Sequence, residues 1–168
     1  GHPAADGGGQ PMMQIRLATE ADYAQLAEMK WLHCQEDEAD YGEGRYHLSS
    51  VDQEMFLMEF VSFMKEHPEY RVYAACDGKT VASAMFVYRI PKTPKPGREQ
   101  KYIAYLTNVY TRKEYRNQGV GRWLMQHIQT ELTKENCELI FAWPSEKSMN
   151  WYKRMNFSLD NELLVCEL

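Results

Sequence analysis

Leu106-Thr107-Asn108-Val109-Tyr110-Thr111-Arg112-Lys113-Glu114-Tyr115-Arg116-Asn117-Gln118-Gly119-Val120-Gly121-Arg122 is the stretch on which the reading of this chain turns. Its first half is rich in Tyr, Val and Thr, the composition of a strand. After it, Val120, Trp123, Leu124, His127, Ile128 and Leu132 recur at helical spacing. Between the two lies Arg116-x-x-Gly119-x-Gly121. The first amides of a helix have no internal acceptors and sit at the positive end of its dipole, so they form an anion site. Glycine at 119 and 121 removes the Cβ atoms that would hold a pyrophosphate off the backbone. Arg116 and Arg122 offer charge-assisted bonds. The loop Arg116, Asn117, Gln118, Gly119, Val120, Gly121 therefore reads as a pyrophosphate cradle. The plain alternative is a surface turn whose glycines only relieve strain. No Gly-Lys-Ser/Thr follows, so it is not a Walker loop, and it lacks the three-glycine dinucleotide fingerprint.

Outward from this loop, alternation and capping signals divide the rest. Gln14 to Leu17 reads as a first strand, and Thr19 as the N-cap of a helix reaching about Glu36. An acidic link, Asp37 to His47, follows. Ser50 with Gln53 resembles a capping box for a second helix whose apolar face is Leu57, Phe60, Val61 and Met64. Arg71 to Cys76 and Thr80 to Ile90 form a hairpin about Asp77-Gly78-Lys79. Pro91 to Gly97 is a loop, and Lys101 to Thr111 the longest strand. Beyond the loop come a helix from about Gln118 to Glu135, a wholly apolar strand Leu139 to Trp143 placed at a sheet centre, a helix Ser145 to Met155, and a last strand Leu163 to Glu167. The expected fold is α/β (α+β): one domain, a mixed, mostly antiparallel sheet of six or seven strands with helices on both faces, in the order β-α-α-β-β-β-α-β-α-β.

The bulk properties set limits. A chain of 168 residues, 44% hydrophobic and 26% charged, suits a single globular domain. Residues 1–12, with Gly7-Gly8-Gly9, read as a tag remnant or disordered leader, and 13–168 as the domain. A net charge of −5 argues against a nucleic-acid surface and suits a cationic small partner. Cys34, Cys76, Cys137 and Cys166 are widely spaced, which reads as reduced thiols in a cytoplasmic protein. The five histidines form no ligand cluster, so no metal is expected. No stretch has the length of a membrane helix.

The run from Leu106 to Arg122 resembles the acetyl-CoA-binding motif of the GNAT superfamily of N-acetyltransferases, Arg/Gln-x-x-Gly-x-Gly/Ala. Ser145 to Phe157 resembles the family's terminal helix, which carries a tyrosine and usually ends in Gly-Phe; here Asn156 replaces the glycine. Asparagine is the next-best residue for the left-handed position such a helix end needs. The resemblance implies a long strand that splays from the next at a bulge, with the pantetheine arm lying in the gap. By motif position it implies that the backbone of Val109 and Thr111 bonds the arm, with Tyr110 pointing to the opposite face. The amides of Gln118 to Arg122 would hold the pyrophosphate, and an N–H near Val109 would polarise the thioester carbonyl. Tyr152 would donate a hydrogen bond to the leaving thiolate, and Ser145 would lie near the cofactor or simply cap its helix.

The resemblance implies direct attack of a neutral amine on the thioester and leaves the acceptor open. Glu36, Asp37 and Glu38, with Trp31, are candidate acceptor contacts for the primary amine of a small molecule, a cationic one included; a solvated acidic face is the plain reading of the same acids. The alternatives are a protein or peptide N-acetyltransferase and, from another class, an inactive acyl-CoA-binding sensor or interaction module. A monomer or homodimer, with no nucleic-acid or membrane partner, is expected.

Overall fold

A computed structural model describes residues 13–159 and 162–168, so the expected leader lies outside it. Five strands form one sheet in the order β1 (Gln14–Leu17), β2 (Tyr70–Asp77), β3 (Thr80–Pro91), β4 (Tyr102–Thr111), β5 (Cys137–Phe141). The first four are antiparallel neighbours, and β5 runs parallel to β4. The helices are α1 (Tyr23–Tyr41), α2 (Gln53–Glu66), α3 (Val120–Lys134) and α4 (Met149–Arg154).

The sheet divides two cores. On one face Leu26, Met29, Met64, Val72, Phe86 and Tyr110 pack under α1 and α2. On the other, Met85, Leu106, Leu124, Met125, Ile128 and Tyr152 pack under α3 and α4. Alternation along β4 serves both, with Ala104 and Leu106 on the α3 side and Tyr110 on the α1 side. The β2–β3 hairpin turns at Gly78, φ 58°, as Asp-Gly requires.

Several expectations change. The helix expected to stop near Glu36 runs on to Tyr41 and ends at Gly42, φ 111°. The acidic stretch is helical because its carboxylates find partners: Asp37 accepts from the Tyr46 hydroxyl at 3.0 Å, Glu38 from the Leu48 amide at 3.2 Å, and Asp40 pairs with Lys147 at 3.0 Å. The α2 cap is Asp52, which accepts from the Met55 amide, and not Ser50, whose hydroxyl donates to His47 O.

The sheet has five strands among the described residues, not six or seven. Residues 162–168 form no strand, and Leu164 and Leu168 are fully exposed: their apolar side chains have no facing ladder to join. The strand expected at the sheet centre, β5, is instead an edge, pairing only with β4 among the described residues. Apolarity along a strand reports covered faces and not covered edges. Here α3 covers one face and a cluster of aromatic rings the other.

Asn156 has φ 69°, the left-handed position expected at the end of α4, and Phe157 N–H closes it onto Tyr152 O at 3.1 Å. Asn156→Ala is expected to lower stability by about 1 kcal/mol, and Asn156→Gly to leave it unchanged or slightly raised. Urea unfolding midpoints check this.

Candidate functional site

β4 and β5 part company after Tyr105 and Phe141, their last paired residues. From Leu106 to Thr111, β4 continues with β3 as its one partner among the described residues. Within that free stretch Ala84 faces Tyr110 and Phe86 faces Thr107, so Asn108 and Val109 together oppose Met85. This is a β-bulge, and its first residue, Asn108, is left-handed at φ 50°. The extra residue returns Tyr110 to the α1 face and leaves Val109 on the α3 face, where it packs against that core.

α1 clamps the bulge. Lys30 Nζ donates to Asn108 Oδ1 at 2.7 Å. His33 lies against Tyr110, ring centroids 5.2 Å apart, and both line a small cavity with Lys30, Asn108 and Phe60. Burial holds the His33 imidazole below its ordinary pKa, against the opposing pull of Asp37, whose carboxylate lies 3.9 Å from Nε2. At neutral pH the ring is therefore neutral and keeps a basic nitrogen.

The chain then enters the loop. Asn117 and Gly119 are left-handed, φ 61° and 77°, and Gly119 is the N-cap of α3. The first bond into the helix runs from Trp123 N–H to Gly119 O at 2.9 Å, so the amides of Val120, Gly121 and Arg122 precede the helical ladder. The two glycines have different causes. A Cβ on Gly119 would meet nothing, and its conformation is what requires glycine. A Cβ on Gly121 would lie 3.3 Å from Thr111 Oγ1 and 3.5 Å from the Trp151 ring, so its absence lets β4, α3 and α4 meet at one point. A strand edge with no second neighbour, leading to free amides at a helix start, fits a ligand with an extended amide-bearing arm and a pyrophosphate.

Arg116 reaches from the loop to α1. Its guanidinium forms a two-point ion pair with Glu36 (2.8 and 2.9 Å), donates to Thr111 O at 2.9 Å and covers the Tyr110 ring. Burial disfavours the Glu36 carboxylate, but Arg116 outweighs it and holds the pKa below the usual value. Glu36 thus belongs with the loop. Glu36→Gln is expected to weaken binding of a pyrophosphate-bearing ligand at the loop up to about fivefold, the scale of a half-exposed ion pair; calorimetric titration reads it.

The remaining candidates are spread out. Trp31 is buried against Phe56 between α1 and α2. Arg122, in the first turn of α3, is exposed, and Ser145 caps the short turn before α4, its hydroxyl 2.9 Å from that of Ser148. Tyr152 is buried between Trp151 and Phe157, and burial alone pushes its pKa up to about 12. Its side of α4 lines a cleft of about 1050 Å³ along β5. Sequence reasoning passed over His33, because lone histidines on a helix carry no spacing signal. It also passed over the rings of Tyr105, Phe141 and Trp143, which meet at the fork (centroids 5.2 to 5.6 Å) although they are distant along the chain.

Comparison with known proteins agrees with this geometry. The solved structures similar in fold include a GCN5-related N-acetyltransferase from Ralstonia eutropha, 18% identical, TM-score 0.69, covering 92% of this chain and 98% of that one. A predicted acetyltransferase from Clostridium acetobutylicum, solved with acetyl-CoA, is 18% identical at TM-score 0.68, covering 93% and 96%. A transcriptional regulator from Bacillus halodurans is 21% identical at TM-score 0.69, covering 93% and 99%. No curated protein matches the chain. The profile described as the Acetyltransferase (GNAT) family matches residues 26–157, which span α1 to the end of α4. This chain therefore belongs to the GNAT acetyltransferase family and is an acyltransferase.

Proposed function

We propose that the protein transfers the acetyl group of acetyl-CoA to the primary amine of a small molecule by direct attack within a ternary complex. The observation that carries this is the fork: β4 runs on past its last pair with β5, bulges at Asn108–Val109, and ends in the free amides of α3. When bound, acetyl-CoA supplies a thioester, an acyl group activated toward amines. The backbone of Val109 and Thr111 and the amides of Gln118 to Arg122 are the groups suited to hold it. The Val109 N–H serves as the donor for developing negative charge on the carbonyl oxygen. Tyr152 serves as hydrogen-bond donor to the departing thiolate. On the opposite face of the bulge, His33 offers a neutral nitrogen at which the proton of the attacking amine can be received.

Charge does not select the acceptor in this reading. Glu36 is paired with Arg116 and Asp40 with Lys147, while Asp37 and Glu38 are occupied by Tyr46 and Leu48. Glu36 thus serves the loop, Asp40 the turn before α4, and Asp37 and Glu38 the segment after α1.

The test is release of the CoA thiol from acetyl-CoA across a panel of free amines and short peptides. Release with free amines is expected. Release with peptides alone would replace the small molecule by a peptide acceptor. Acetyl-CoA binding with no release across the panel would favour the inactive sensor. Among the described residues no helix is long and apolar enough to cross a membrane, so the assay needs no lipid on that account.

A further inference from the structure

The charged and apolar groups around the fork are mostly committed to the fold; three aromatic rings are not fully covered. Tyr105 and Phe141 are the last residues paired between β4 and β5, and their rings stack at 5.3 Å with planes 22° apart. Trp143, two residues beyond β5, stands edge-on to both, at 5.2 and 5.6 Å. It is 64% exposed. Ala104 and Leu106 point into the α3 core, so Tyr105 between them points to the opposite face, the one Tyr110 shares with His33. Three residues separate Tyr105 from Asn108, about 10 Å of strand. The rings thus form a wall at the mouth of the fork, on the acceptor face and a short reach from the bulge.

From this placement we infer that Tyr105, Phe141 and Trp143 form the acceptor subsite and that the protein selects primary amines carrying an aromatic ring on a short alkyl chain. The inference rests on the acetyl-transfer reading above and names its acceptor. Aromatic faces and edges bind a further ring in offset or edge-on contact, and an exposed indole supplies most of the area. A ring seated on the wall leaves its alkylamine arm directed along β4 toward Asn108, where His33 faces the strand. A polycation finds no comparable partner, because the nearby carboxylates of α1 are bonded within the protein. An apolar wall also disfavours the ammonium form and so favours the neutral amine that attacks.

The test compares 2-phenylethylamine with propylamine at equal free-base concentration, using wild type, Trp143→Ala and Trp143→Phe. Wild type should prefer the aryl amine by about tenfold or more in kcat/KM. Trp143→Ala should lose about tenfold for the aryl amine, leaving propylamine and the acetyl-CoA KM within twofold. Trp143→Phe should recover most of the loss, since it restores a ring. An equal loss for both amines, or no aryl preference in wild type, would overturn the subsite while turnover with any free amine keeps the acetyl-transfer reading. Should no free amine turn over, quenching of tryptophan fluorescence by 2-phenylethylamine in wild type but not in Trp143→Ala still supports the subsite, and its absence overturns it.

Discussion

Val109→Pro is expected to lower kcat by about 10²–10³-fold, the usual cost of losing one oxyanion donor, while acetyl-CoA still binds. The substitution removes the N–H and little else of the apolar volume packed on the α3 core. A bulge is among the few strand positions that accept proline. Val109→Ala keeps the N–H and should stay within a few-fold of wild type. Calorimetric titration with acetyl-CoA and a thermal melt separate lost chemistry from lost fold. A proline variant that binds acetyl-CoA and turns over at the wild-type rate would move the donor to another amide.

Tyr152→Phe is expected to lower kcat by about 10–100-fold, the worth of a hydrogen bond to a charged partner, with chemistry shown to be rate-limiting. Donation without transfer follows from acidity. Burial pushes the Tyr152 hydroxyl up to about 12, whereas an ordinary thiol has a pKa of about 8.5, so handing over the proton would be uphill by roughly 5 kcal/mol. The free amino acid, at about 10, would give a gap of only about 2 kcal/mol, so burial makes this tyrosine a poorer acid, which suits the proposed role of donor without transfer. The sign for pH follows. A group whose pKa is raised holds its proton longer, so kcat should show no basic limb from Tyr152 between pH 7 and 10. A limb in that window, present in wild type and absent from the phenylalanine variant, would point to full proton transfer instead.

The loop and its flanks are legible in the sequence because their causes are local. Gly119 is needed for its own φ, Asn156 for its own left-handed turn, and α3 for the spacing of its own apolar face. The partners of those residues are not legible. Arg116 pairs with Glu36 across 80 residues of chain, and packing α1 against the end of β4 brings them together. Tyr46, Leu48 and Lys147 likewise turn an acidic link into the last turns of α1 by pairing with its carboxylates. The edge position of β5 escapes a reading of apolar runs, because such runs respond to faces alone. The aromatic wall escapes for the complementary reason: its members come from two strands and a following loop, and the parallel register of β4 with β5 alone juxtaposes them.

The sheet that separates the two cores has a consequence for variation. The helix side chains of the two cores lie on opposite sides of the sheet, Leu26 and Phe60 on one and Leu124 and Ile128 on the other. Changes confined to such helix positions are separated by the sheet, and their effects should add. Phe60 or Leu26 can be exchanged to reshape one side without a compensating change at Leu124 or Ile128. Such a scaffold is modular in depth although it is a single domain: its helix cores can be varied separately, while the Lys30–Asn108 and Glu36–Arg116 contacts tie α1 to the bulge and loop.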